Sequence, residues 1–543
     1  MTETAQAAAA GASAASRVDA VIVGAGFAGM YMLHRLRGLG MRALVFEAGH
    51  GVGGTWFWNR YPGAQCDVDS MEYSYQFSDD LQQEWDWSSR YASQPEILRY
   101  ANHVADRFDL RRDIRFETRV STAVFEEDDN RWTIRTDGGD EVSAQYLIMA
   151  TGCLSSTNTP AFEGLDTFAG EIHHTGRWPH EGVDFTGQRV AVIGTGSSGV
   201  QSIPIIAAQA AELTVFQRTA AWVVPAHNAP LDPALQQETK DDYAGFRRRN
   251  SETMVAFGSR TPGNEDSVLE TDPDERDRQF EARWQQGGLP FLGAFGDLMF
   301  DPAANACAAD FVRGKILAAV DDPAVAELLC PDTLIGCKRL CVGTDYYETY
   351  NRPNVHLVDV SDTPIDEITP TGARVGDDVY AFDCLVLATG FDAMTGALLA
   401  IDIRGRGGTS LGEAWAAGPR TYLGLGIVGF PNLFTISGPG SPSVLTNMIV
   451  SIEQHVNWIA DCVAYLRDHG QAAIEATPEA QDFWVDYVNS IAELTLYPSC
   501  NSWYLGANVP GKTRVFMPLL GFPPYVEQCN DVAAKGYEGF VLT

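Results

Sequence analysis

Short apolar runs that stop at glycine recur along this chain, and two of them feed straight into stretches with the spacing of a helix. From Val18 the residues read VDAVIVGAGFAGMYMLHRL, and from Arg189 they read RVAVIGTGSSGVQSIPIIAAQA. Each predicts a strand, a glycine turn and a helix, with RALVFE and ELTVFQR as the next strands. YLIMATG, ending at Gly152, and CLVLATG, ending at Gly390, form a further matched pair. Each predicts a buried strand stopping in a small-residue turn, where the chain crosses between two nucleotide units. The stretch from about 225 to 335 breaks this pattern; it is rich in charge and helix formers, as in DPAVAELL and RDRQFEARW, and predicts a helical insertion. Downstream, FPNLFTISGPGS at 430–441 predicts a return to the first unit, bringing Gly438 and Gly440 near its nucleotide. SIEQHVNWIADCVAYL and FWVDYVNSIAELTL predict amphipathic helices covering that unit. The expected fold is α/β: two Rossmann-like dinucleotide-binding domains with a helical insertion.

The two glycine turns lead to strands with different ends. Gly24, Gly26 and Gly29 have the G-x-G-x-x-G spacing, in which the first glycine makes the turn, the second admits pyrophosphate and the third packs helix on strand. The next strand ends in Glu47, 23 residues beyond Gly24, where a carboxylate accepts the hydroxyls of an unmodified ribose. Gly194, Gly196 and Gly199 repeat the spacing, but the same offset lands on Gln217, with Arg218 and Thr219 next in the chain. A guanidinium there welcomes a 2′-phosphate that a carboxylate would repel. FAD is expected in the first turn and NADPH in the second. The expected boundaries are a flexible tail at 1–17, an FAD domain at 18–155 and 388–543, an NADP domain at 156–224 and 336–387, and the insertion at 225–335.

Charge narrows the partners. With 71 acidic against 38 basic residues the 543-residue chain carries −33, a field that repels nucleic-acid backbones and anionic membrane surfaces. The Ala-rich first sixteen residues have no cationic start or strong apolar core, and read as a loose tail rather than a signal peptide. No run is long and apolar enough to span a bilayer. The ten cysteines include no CxxC pair, which counts against a dithiol redox centre or a zinc knot, and reduced thiols in a cytoplasmic protein are expected. His173, His174 and His180 lack ligand companions at matching spacing, so no metal is expected. Subunit number is not set by these features; a monomer is compatible with them.

Two nucleotide sites leave several hydride acceptors open. Without a cysteine pair or cluster, dioxygen is the simplest. Adjacent Lys338 and Arg339, in GCKRLCVGTDYYETYNRPNV, stand just after the insertion, where an arginine would steady negative charge growing on oxygen. From the residues alone, a surface charge explains Arg339 as well. Residues 53–78, GGTWFWNRYPGAQCDVDSMEYSYQFS, place Trp56 and Trp58 in the alternation of a strand face, and Asp67 where it could orient an arginine.

These blocks resemble the type I Baeyer–Villiger monooxygenases along nearly the whole chain after residue 17. The signature FxGxxxHxxxW[P/D] appears as Phe168, Gly170, His174, Trp178 and Pro179, and GGxWxxxx[YF]P[GM]xxxD as Gly53, Gly54, Trp56, Tyr61, Pro62, Gly63 and Asp67. The NRYPGAQCD and GPGSPSVL blocks look most like the phenylacetone and steroid monooxygenase branch, although Gln65 replaces an arginine often seen there. The resemblance implies insertion of one atom of dioxygen into a ketone through a C4a-peroxyflavin, giving an ester or lactone, with NADPH as hydride donor and NADP+ retained. It implies Arg339 as the catalytic arginine, oriented by Asp67. It places Ala28, Glu47, Gly54, Thr55, Trp56, Asp67, Tyr73 and Val120 beside FAD. Thr195, Ser197, Ser198, Arg218, Thr219, Lys338, Arg339 and Trp503 fall to NADPH, and Ser441, Pro442, Ser443 and Leu445 to the substrate pocket. His174 becomes a linker residue. Leu445, Met448 and Trp503 suggest an apolar cavity, and a bulky aromatic, cyclic or steroid-like ketone is the expected substrate. The rival readings are a flavin monooxygenase acting on sulfur or nitrogen, and a nucleotide-binding redox sensor without turnover.

Overall fold

The computed structural model describes residues 16–506 and 518–543. Two parallel-cored sheets carry it. In the first, the order runs Asp402–Arg404, Val120–Glu126, Arg131–Thr136, Glu141–Met149, Ser16–Val23, Ala43–Phe46, Ile114–Arg115. Ser16–Val23 lies parallel between Glu141–Met149 and Ala43–Phe46, with Val21 opposite both Leu147 and Leu44. Burial on both faces explains why these strands read as continuous apolar runs. Near its end Glu141–Met149 takes a further parallel partner, Leu433–Thr435, so the late return of the chain lands in the first sheet. The second sheet is parallel throughout, in the order Val355–Asp359, Glu212–Gln217, Arg189–Ile193, Cys384–Leu387, Glu171–His174.

Helix Phe27–Gly38 packs against the long helix Met448–Asp468, whose inner face is buried through Ile452, Val456, Ile459 and Val463. The second amphipathic stretch forms Pro478–Ala492 and ends before the ELTL part of the predicted run. Ser16 and Arg17 pair with Val142 and Ser143, so strand begins inside the expected tail 1–17, whose other residues lie outside those described.

Between the sheets in sequence, 225–335 holds Pro233–Asp241, Tyr243–Ser251, Pro273–Gln286, Pro302–Ala319 and Pro323–Leu329. Four of these open on Asp-Pro. The carboxylates of Asp232, Asp272, Asp301 and Asp322 each accept a backbone N–H of the first turn, while proline fills the position whose N–H has no partner anyway. Arg247, on the one helix without that opening, is buried and donates to Gln82, Ser74 and the Glu72 carbonyl, tying the insertion to the first unit.

The buried carboxyls beside this arginine give stability an unusual pH dependence. Burial, and then the Asp69 charge, pushes Glu72 up to about 8, and burial pushes Glu453 up to about 7. Folded-state values above the unfolded ones mean this contribution is full below about pH 4.5 and fades as pH rises through 7 to 8. Glu72→Gln should therefore flatten the fall of Tm between pH 5.5 and 8.5, by an amount on the order of a few degrees. An unchanged slope in calorimetry would show that Glu72 is ionised throughout.

Candidate active site

Each nucleotide turn starts at a glycine no other residue replaces cheaply. Gly24 has φ +104° and Gly194 has φ +107°, a region L side chains rarely adopt. A Cβ would also stand 2.6 Å from the Ala150 carbonyl at Gly24, and 2.5 Å from the Ala388 carbonyl at Gly194. Gly29 and Gly199 sit against the carbonyls of Gly24 and Gly194, leaving no room for a side chain. Unlike the Asp-Pro helices, those beginning after Gly26 and Gly196 carry no side-chain cap, and neither has an acidic residue in its first turn. Their leading N–H groups, with the positive end of the helix dipole, are left for an anion.

Around the first turn, Glu47 is buried and its carboxylate accepts the Ala25 and Gly49 N–H groups, each at 2.7 Å. Burial raises its pKa and these bonds counter the shift. Gly54 approaches Gly26, and Ala28 is buried in the first turn of the helix. Thr55–Trp58 is a short helix, not the strand face expected from the alternation of Trp56 and Trp58. Two aromatic residues two apart cannot separate a strand from a single helical turn, and Gly54, at φ +55°, starts the turn. Trp56 donates to the Tyr73 hydroxyl at 3.1 Å, and the rings meet edge to face. Val120 is enclosed in the core, two residues past Thr118, whose N–H holds the Glu47 carbonyl.

Around the second turn, Thr195 donates to the Thr219 carbonyl at 2.9 Å, and Ser197 Oγ lies 3.5 Å from Cys341 Sγ. Ser198 Oγ accepts from Thr175 at 3.3 Å. Arg218 and Lys338 are exposed, and the side chain of neither forms an ion pair or hydrogen bond with another described residue. Desolvation, and then the Arg218 charge, lowers the Lys338 pKa, which places the two cations in one field.

Two residues separated by 272 positions come together where the two units meet. Arg339 Nε donates to Asp67 Oδ2 at 2.6 Å and Nη2 to Oδ1 at 2.8 Å, while Nη1 donates to the Val444 carbonyl at 2.7 Å. Burial alone would lower the arginine's pKa; the Asp67 charge and hydrogen bonds outweigh it and hold the guanidinium above its ordinary value. Asp67 and Val444 thus engage three of the five N–H donors. Asp67 also lines a cavity of about 360 Å³ whose walls include Asp69, Glu72, Arg90 and Arg260.

An apolar cluster adjoins Val444: Cys153, Met394 and Tyr504 are buried, and Leu154, Leu445, Met448, Tyr497 and Trp503 pack on them partly exposed. Ser441, Pro442 and Ser443 are buried, with the Ser441 hydroxyl turned to the Gly438 carbonyl and that of Ser443 to the Ser437 carbonyl. Their contribution is the shape of the turn.

Several partners escaped sequence reading. Tyr504 interacts with the Arg339 guanidinium. Gln201, on the helix after the second turn, accepts from the Tyr61 hydroxyl at 2.8 Å and donates to the Gln65 carbonyl at 3.2 Å, and Gln65 Oε1 accepts from Asn228. The expectation of reduced cysteines fails at one pair: Cys337 and Cys500 form a disulfide, 163 residues apart. No spacing rule links two such distant positions. His174 accepts the Gly176 N–H and sits 3.3 Å from both the Asn158 carbonyl and the Thr389 hydroxyl, bridging the two chain crossings. His173 meets Glu171. Among the described residues no group of three His, Cys, Asp or Glu could hold a metal, and no helix is long and apolar enough to cross a membrane.

Known proteins similar to this chain share its fold. A family model described as pyridine nucleotide-disulphide oxidoreductase matches residues 21–253. A Baeyer-Villiger monooxygenase of Pseudooceanicola batsensis is 45% identical over 96% of this chain and 96% of its own. The structure of an oxidized steroid monooxygenase bound to NADP superposes with a TM-score of 0.93 at 56% identity, covering 97% of this chain and 99% of that one. A crystal structure of OTEMO in complex with FAD and NADP gives 0.93 at 42% identity, over 97% and 100%.

Proposed function

Because this chain belongs to the Baeyer–Villiger monooxygenases, FAD-containing, NADPH-dependent enzymes that convert ketones to esters or lactones, we propose that Arg339, fixed by Asp67, is its catalytic arginine and that its substrate is a bulky aromatic, cyclic or steroid-like ketone. The bidentate pair between Asp67 and Arg339, set beside an apolar cluster, is the observation that carries this reading.

The residues present fit both cofactors. FAD is assigned to the Gly24–Gly29 turn, where uncapped helix N–H groups meet its pyrophosphate and Glu47 has lone pairs left for a ribose. Thr55, Trp56, Tyr73 and Val120 fall along the same nucleotide. NADPH is assigned to the Gly194–Gly199 turn, with Thr195, Ser197, Ser198 and Thr219 around its phosphates and, at its 2′-phosphate, Arg218 and Lys338, whose side chains have no hydrogen-bond or ion-pair partner among the described residues. Bound together, the cofactors supply the hydride and the activation of dioxygen.

The protein's own share is positioning and charge. Asp67 takes two of the arginine's donors and Val444 a third, so the guanidinium plane is held in place, and it would meet negative charge on oxygen without first having to reorganise. Its pKa, kept high by Asp67, ensures that it stays charged and cannot serve as the proton donor. Negative charge on the attacking oxygen and on the ketone oxygen is thereby stabilised, which favours attack on a carbonyl over transfer to a soft heteroatom. Leu445, Met448 and Trp503 keep the ketone face dry, and the buried Ser441–Ser443 turn supports them.

Aerobic incubation with NADPH and a panel of a small aryl ketone, a medium-ring ketone and a 20-oxosteroid tests this. Ester or lactone from the bulkier members is expected; oxidation of a thioether with no ester from any ketone would overturn it. Arg218→Ala should weaken NADPH by roughly 10- to 100-fold, as for a lost charge-assisted bond, and leave NADH nearly unchanged. Equal losses for both in initial-rate titrations would remove Arg218 from the 2′-phosphate site.

A further inference from the structure

Two segments that meet at Arg339 are also joined covalently. Cys337 stands two residues before Arg339, and Cys500 three residues before Trp503; their Cα atoms are 5.7 Å apart across 163 residues of chain. Both cysteines lie in bends outside any helix or strand, so they can part without breaking a backbone ladder. Both side chains are buried, 4% exposed at Cys337 and 6% at Cys500, but exposed Lys338 follows one in the chain, and exposed Ser499 and Asn501 flank the other. Elsewhere in the chain, burial pushes the Cys341 thiol up to about 11 and that of Cys384 up to about 12.

We propose that Cys337 and Cys500 form a reversible thiol–disulfide site, closed by hydrogen peroxide and opened by a dithiol reductant, which holds or frees the segment of Trp503 and Tyr504 against that of Lys338 and Arg339. In closing, the Cys337 thiolate attacks one peroxide oxygen; the O–O bond breaks, a sulfenic acid forms, and hydroxide takes a proton to leave as water. The Cys500 thiol then attacks that sulfur; the S–S bond forms, the S–O bond breaks, and the oxygen leaves with the thiol proton as a second water. Two thiols are oxidised and one peroxide is reduced. In opening, a dithiol displaces one sulfur as a mixed disulfide and its second thiol releases the reagent in oxidised form. The oxidant rests on the oxygenase reading, since unproductive oxygen activation at a reduced flavin releases hydrogen peroxide. Closed, the bridge braces Tyr504 on Arg339, and its own oxidant would tighten the site that leaked it.

Intact-mass and peptide mapping of the FAD-loaded enzyme, which needs no ketone turnover, tests the site. A native dithiol treatment should add about 2 Da and expose both cysteines to alkylation, and stoichiometric peroxide should reverse this. With Cys500→Ser, a sulfenic-acid probe should label Cys337; with Cys337→Ser, Cys500 should stay unlabelled. Peroxide release per NADPH should rise roughly twofold or more on reduction of the native enzyme, as a loosened Trp503–Tyr504 stretch admits water. It should not respond to dithiol in the double serine variant. A bridge that resists dithiol in the folded enzyme, fails to return with peroxide, or gives the same dithiol response in the double variant would overturn the proposal.

Discussion

Arg339→Ala is expected to leave reduction of bound flavin by NADPH within a few-fold of normal while lowering ester formation by roughly 100-fold or more. The guanidinium enters only when negative charge appears on oxygen, so hydride transfer should not register its loss. Stopped-flow reduction and product analysis on the same sample separate the two. Removing one side of a half-buried ion pair also leaves Asp67 uncompensated, at a cost on the order of 3–5 kcal/mol if the site were fully dry. With side-chain exposures of 24% for Arg339 and 25% for Asp67, the actual cost should be smaller. Arg339→Ala/Asp67→Asn answers for that: it should recover stability but not ester. Arg339→Lys keeps charge yet lacks the planar fork that grips both carboxylate oxygens, and should fall between. Ester formation near the native rate in the alanine variant would remove the arginine from the chemistry.

The second large effect separates the two nucleotide turns. Gly194→Ala places a Cβ 2.5 Å from the Ala388 carbonyl at φ +107°, so backbone must shift where phosphate is expected. Such strain costs about 1–3 kcal/mol before any clash, which predicts a loss of NADPH affinity of roughly 30-fold or more with FAD retained and still reducible by dithionite. Gly24→Ala, with its Cβ 2.6 Å from the Ala150 carbonyl, should instead yield protein depleted of flavin. Loss of flavin from the Gly194 variant, and not from the Gly24 variant, would exchange the two assignments.

Legibility tracks the range of the forces involved. The strand–turn–helix units are readable because an apolar run buried on both faces and a left-handed glycine are local requirements that few residues meet. The Asp-Pro helix starts of the insertion are local in the same sense. Trp56 and Trp58 mislead because four residues show too little period to distinguish a turn of helix from a strand. The pairing of Asp67 with Arg339 and the bridge from Cys337 to Cys500 are products of tertiary folding. For the first, only resemblance to a family names the partners; for the second, nothing in the spacing does. Ser441 and Ser443 show the reverse limit: their place near the site is expected, but the direction of their hydroxyls depends on the Gly438 and Ser437 backbone carbonyls, which only the fold brings into line.

The contacts of Gln201 with Tyr61 and Gln65 tie the helix beneath one nucleotide to the aromatic block beside the other. Wherever this tether prefers one filled state over another, thermodynamic reciprocity applies: a shift in NADP+ affinity on filling the flavin seat must equal the shift in flavin affinity on filling the nicotinamide seat. Titrating each nucleotide with and without its neighbour, in Gln201→Ala and the native chain, would size that cooperativity directly.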